Sequence, residues 1–120
     1  MLVLLLTFDR FCIKIDIMQD NNTEIRSISF EELVDIFTEI NDRDFMKNFM
    51  ECLFTPAERD DFANRWILVK EIDKGVTQRD IAKKYNMSLC KITRGSKELN
   101  KKDSAFRTVL EKYKEKNSQS

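Results

Sequence analysis

The sequence predicts an all-α protein. One proline and two glycines are spread over 120 residues, apolar residues recur at helical spacing almost throughout, and start and stop signals divide that pattern into six helices. The chain has room for one domain and one modest core.

Residues 1–17 resemble an export signal only at first sight. No Lys or Arg precedes the apolar run of five from Leu2 to Leu6, and Asp9 and Arg10 interrupt the apolar character of the next residues. Met18 then opens a polar stretch, Gln19-Asp20-Asn21-Asn22-Thr23, of the kind that begins many soluble proteins. The expectation is that Met18 is the physiological start, that residues 1–17 come from an upstream start, and that residues 1–28 form an extension without regular structure. A short strand or an anchoring arm is the alternative for residues 1–17.

The first helix is expected to begin at the capping box Ser29-Phe30-Glu31-Glu32, with Phe30, Leu33, Val34, Phe37 and Ile40 on one stripe. A second runs from about Asp42 to Leu53 and carries Phe45, Met46, Phe49, Met50 and Leu53. Thr55-Pro56-Ala57-Glu58 is the strongest start signal: an N-cap, a proline at the first helical position and a return carboxylate. That third helix should reach about Lys74, where Gly75 closes it.

Thr77 to Ser96 reads as a helix-turn-helix. Thr77 caps the first helix, with Asp80 as a shortened capping-box partner. Ile81 and Tyr85 share a face, Ala82 is small where the helices cross, and Asn86 suits the left-handed backbone of a sharp turn. Ser88 caps the second helix, in which Leu89 and Ile92 are expected to point inward. Gln78, Arg79 and Lys83 then fall near a DNA backbone, while Leu89, Cys90, Lys91, Thr93 and Arg94 fall toward bases. A linker, Asn100-Lys101-Lys102-Asp103, leads to a last helix with Phe106, Val109, Leu110 and Tyr113. The domain is thus placed at residues 29–116, with a tail at 117–120.

The formal net charge is zero, but charge is segregated. Residues 1–64 hold six Lys/Arg against fourteen Asp/Glu (6 − 14 = −8), residues 65–102 eleven against four (+7), and residues 103–120 four against three (+1). The helix-turn-helix lies inside the basic block, where phosphate attraction acts locally. Three cysteines without C-x-x-C spacing and no histidine argue against zinc and against Cys–His or Ser–His catalysis. Cys52 is read as a small core residue, and the cysteine pattern as that of a reducing cytoplasm. No glycine-rich phosphate loop is present, so an enzyme is not expected.

The first two helices carry more Phe, Met, Leu, Val and Ile than a small bundle buries alone. At roughly 1.5–3 kcal/mol per large side chain, exposure would be costly, and an obligate homodimer with an interlocked N-terminal core is inferred. Internal packing against the third helix is the alternative.

The run Leu53-Phe54-Thr55-Pro56-Ala57-Glu58-Arg59, then Arg65, Thr77-Gln78-Arg79-Asp80-Ile81-Ala82, and Ile92-Thr93-Arg94-Gly95-Ser96 resemble the bacterial tryptophan repressor family, over about residues 29–116. The resemblance implies a six-helix, intertwined homodimer that represses transcription on double-stranded operator DNA, with L-tryptophan as corepressor. Its indole would lie between Arg65 and Arg94, its carboxylate near Thr55, and Gly95 would let it approach the backbone. Glu98 stands where the family has a serine that contacts the ligand amino group, Lys91 replaces a threonine, Cys90 an alanine, and the segment between Arg65 and Gln78 is one residue shorter. Two other readings stand beside this one: the same scaffold with no ligand or a different one, and a helical adaptor without DNA affinity.

Overall fold

The computed structural model describes the backbone from Thr7 to Gln119 and the side chains from Asn21 to Gln119. Over that range the regular structure is helical: α1 (Thr7–Glu39), α2 (Arg43–Leu53), α3 (Pro56–Asp73), α4 (Gln78–Tyr85), α5 (Leu89–Leu99) and α6 (Ala105–Ser118). The predicted all-α class and six helices are those observed.

The first helix differs from its expected start. It is continuous from Thr7, so residues 7–28 are helical and the Ser29 box lies inside the helix. The physical reason is that no glycine or proline occurs before Pro56. A capping residue must leave the helical backbone conformation to work as a cap. With a preceding turn already supplying acceptors for those N–H groups, Ser29 has nothing to cap. The proposed upstream start concerns residues 1–17, of which 1–6 lie outside the described residues, as does the Cys12 side chain.

The chain divides between Met50 and Glu51 into two units. In the first, Phe37 and Phe49 meet edge to face at 5.7 Å, and the Asp42 carboxylate starts α2 by accepting from the N–H groups of Asp44 (3.0 Å) and Phe45 (3.3 Å). These contacts do not amount to full burial. Side chains of α2 are all at least partly exposed, and Ile25, Ile28, Phe30, Val34, Ile36 and Phe45 face solvent. Cys52, just past the division, is exposed as well, contrary to its reading as a core residue, because no layer among the described residues closes over it.

The second unit holds the core. Leu68 and Val69 of α3, Ile81 of α4, Met87 of the turn, Ile92 and Leu99 of α5 and Leu110 of α6 are buried together. The Thr55 box closes from both sides, with Thr55 Oγ1 accepting from Glu58 N–H at 3.2 Å and Thr55 N–H donating to Glu58 Oε2 at 2.8 Å. Gly75 follows α3 at φ +86°, a conformation open to glycine. α6 is tied back to α3 by Asp73, which accepts from Arg107 Nη1 at 2.9 Å and Lys114 Nζ at 2.5 Å. The Lys114 hydrogen bond, assisted by both positive charges, holds the Asp73 carboxyl below its usual range.

Candidate nucleic-acid interface

α4 and α5 form the predicted motif, each helix started by its own cap. Thr77 Oγ1 accepts from Asp80 N–H at 3.1 Å, and Ser88 Oγ from Lys91 N–H at 3.3 Å. Only the forward half of the Thr77 box forms, since aspartate is one methylene short of the reach that Glu58 has on α3. Asn86 adopts φ 53°, ψ 47°, the left-handed conformation expected for it. The Ala82 carbonyl then accepts from the N–H of Met87 at 3.1 Å. Met87, to which the sequence pattern assigned no part, drops into the core at 8% exposure and anchors the turn.

Ile81 and Ile92 lock the two helices onto the core at 0% exposure. Leu89 does not join them: at the first position of α5 it lies beyond the edge of the core and is 54% exposed, which corrects its inward assignment. It stands with Cys90 and Lys91 on the open start of α5, where an apolar group suits a thymine methyl. Arg79, Lys83, Lys84 and Arg94 are also exposed. Gln78 and Thr93 are half-buried and hydrogen-bonded to each other, Thr93 Oγ1 donating to Gln78 Oε1 at 3.0 Å. They brace the angle between α4 and α5, a link fifteen residues apart that local pattern does not reveal.

Of the ligand candidates, Gly95 lies at the contact of α5 with α3, and Arg65, Arg94 and Glu98 lie near that contact along their own helices. A Cβ on Gly95 would overlap Leu68 Cδ1, so the missing side chain makes room for Leu68. Arg65 lies one turn before Leu68 on α3, Arg94 adjoins Gly95, and Glu98 lies one turn beyond it. Arg65 is exposed and its guanidinium sits 5.7 Å from the Phe62 ring centroid, itself 4.6 Å from the ring of Phe54. Glu98 is paired with Lys101 at 2.8 Å. Thr55 stands at the far end of α3, ten residues or about 15 Å of helix from Arg65, with its hydroxyl engaged by Glu58 N–H. A cleft of about 300 Å³ at the α5–α6 turn is lined by Glu98, Lys101, Lys102, Ser104 and Phe106, and Thr55, Arg65, Arg94 and Gly95 take no part in it.

Asp61 carried no signal in the sequence. From α3 its carboxylate reaches within 3.6 Å of Lys91 Nζ, a pairing across thirty residues that only the tertiary fold produces.

A capped, core-anchored pair of helices with an open, cation-bearing start to the second defines a helix-turn-helix protein. Residues 28–114 match the family described as Trp repressor protein, and the chain belongs to that family. Among its relatives, the Trp operon repressor homolog of Chlamydia trachomatis serovar L2 is 36% identical over 69 residues, 57% of this chain and 73% of the relative. The homolog from Xylella fastidiosa strain M23 is 35% identical over 75 residues (62% and 82%), and that from Chlamydia caviae 31% over 80 (66% and 79%). No solved structure matches the chain. No helix among the described residues is long and apolar enough to cross a membrane.

Proposed function

We propose that the protein is a transcriptional repressor that binds operator DNA as a homodimer, with L-tryptophan as its corepressor. One observation carries the DNA reading: Arg79, Lys83, Lys84, Lys91 and Arg94 are exposed on a helix-turn-helix whose inward residues are buried. Cations so placed meet phosphates at the backbone and base edges in the major groove. The relatives' names, which specify the Trp operon, support both the repressor role and the choice of ligand. Arg65 and Arg94, both exposed, support an aromatic ligand, since guanidinium planes stack on aromatic faces. The solvent-facing apolar side chains of α1 and α2 support a second copy, which would remove them from water.

Selection of duplexes from a random library, with and without L-tryptophan, tests this directly. Enrichment of a two-fold related sequence that depends on L-tryptophan is the expected result. Enrichment without dependence on the amino acid would remove the corepressor and leave the DNA reading. Failure to retain any duplex would favour the adaptor.

A further inference from the structure

We infer that Asp61 sets the sequence discrimination of the recognition helix by holding the Lys91 ammonium, an inference that rests on the DNA-binding reading above. Lys91 lies in the first turn of α5, the part of a recognition helix that enters the groove. Alone, a lysine there is a flexible point charge that bonds any phosphate as readily as a base. Here the ammonium is 3.6 Å from the Asp61 carboxylate, with the two side chains 66% and 53% exposed. So exposed an ion pair contributes little to folding. Its consequence lies at the surface it occupies.

An ammonium has three N–H donors and the carboxylate engages one side of it, so donors remain for a ligand approaching from the groove. The neighbouring negative charge disfavours a phosphate at the same place. A base edge bearing acceptors, such as guanine O6 and N7, has no net charge and is repelled much less. Asp61, with Asp60 beside it on the exposed side of α3, therefore weakens the indiscriminate use of Lys91 and leaves the base-specific use. Asp61 is a positioning residue in this scheme: it acts through Lys91.

The test uses the full-length chain and a duplex selected by the parent protein, beside a scrambled duplex of equal length. Binding of the parent, Asp61→Asn, Asp61→Glu, Lys91→Ala and the Asp61→Asn/Lys91→Ala double variant is measured by fluorescence anisotropy over a range of salt. Asp61→Asn should tighten binding to the scrambled duplex several-fold and steepen its log–log salt dependence by about one unit, that of one further phosphate contact. It should gain little on the selected duplex, so the specificity ratio falls. Asp61→Glu should keep the parental ratio, and with Lys91→Ala in place Asp61→Asn should no longer change it. Equal tightening on both duplexes, persisting with Lys91→Ala, would reduce Asp61 to general charge and overturn the inference. So would an unchanged ratio in Asp61→Asn. A parent that binds no duplex would overturn the DNA-binding reading and this inference with it.

Discussion

Gly95 and Asp73 show how single residues fix what packs against α3: Gly95 the approach of α5, Asp73 that of α6. At Gly95 a methyl group would press on Leu68, a core residue 2% exposed. Overpacking of that kind costs about 1–3 kcal/mol, whereas replacing a mid-helix glycine with alanine returns about 1 kcal/mol of helix propensity. Gly95→Ala should therefore lower stability by about 1 kcal/mol in urea unfolding, and a stabilised variant would contradict the close approach of α5 to α3. Asp73 acts through charge. Its native carboxyl titrates below the usual range, first through the Lys114 hydrogen bond, so its contribution is present above the unfolded value of about 4 and fades as pH falls through the lower native one. Asp73→Asn should cost about 1.5–3 kcal/mol at neutral pH, the range for hydrogen bonds to a charged group, and should flatten the stability profile below about pH 4. Equal losses at pH 7 and pH 3 would contradict this linkage.

Among the elements, the turn between α4 and α5 depends on Asn86 in the left-handed conformation. An L-residue without a polar side chain is penalised there by roughly 1–2 kcal/mol. Asn86→Ala should lose about that much, while Asn86→Gly should hold or gain stability, as thermal unfolding of the pair would show; equal loss in both would point to the amide and not the backbone. Such local features were legible in the sequence. Thr55, Thr77, Ser88, Gly75 and Asn86 each act within three or four residues of themselves, so residue type and spacing were enough. The Ser29 signal misled because a cap works only where the preceding backbone is not already helical, and nothing upstream of it broke the helix. Other features were not readable: Leu68 against Gly95, Thr93 on Gln78 and Asp61 on Lys91 join residues fifteen to thirty apart. The ligand candidates rest on the resemblance, and Gly95 carries in addition a packing constraint that motif spacing alone did not show.

On the scale of the whole molecule, the N-terminal unit leaves apolar side chains unburied while the C-terminal unit closes a core of its own. Phe37 and Phe49 pack edge to face and stay half-buried. A second copy covering them would be essential to the fold of that unit. The parent should then sediment as a dimer, and Phe37→Asp, which would put an unpaired charge into the shared core, should unfold it without releasing a stable monomer; a folded parental monomer would contradict the homodimer. The central claim is that the basic helix-turn-helix surface binds DNA, and the salt dependence of duplex binding by the parent and Lys83→Ala tests it most directly. The parent should show a steep negative log–log slope, and Lys83→Ala should be weaker on every sequence with a slope shallower by about one unit, as expected for one lost phosphate contact. Binding insensitive to salt, or a Lys83→Ala slope equal to the parent's, would contradict it.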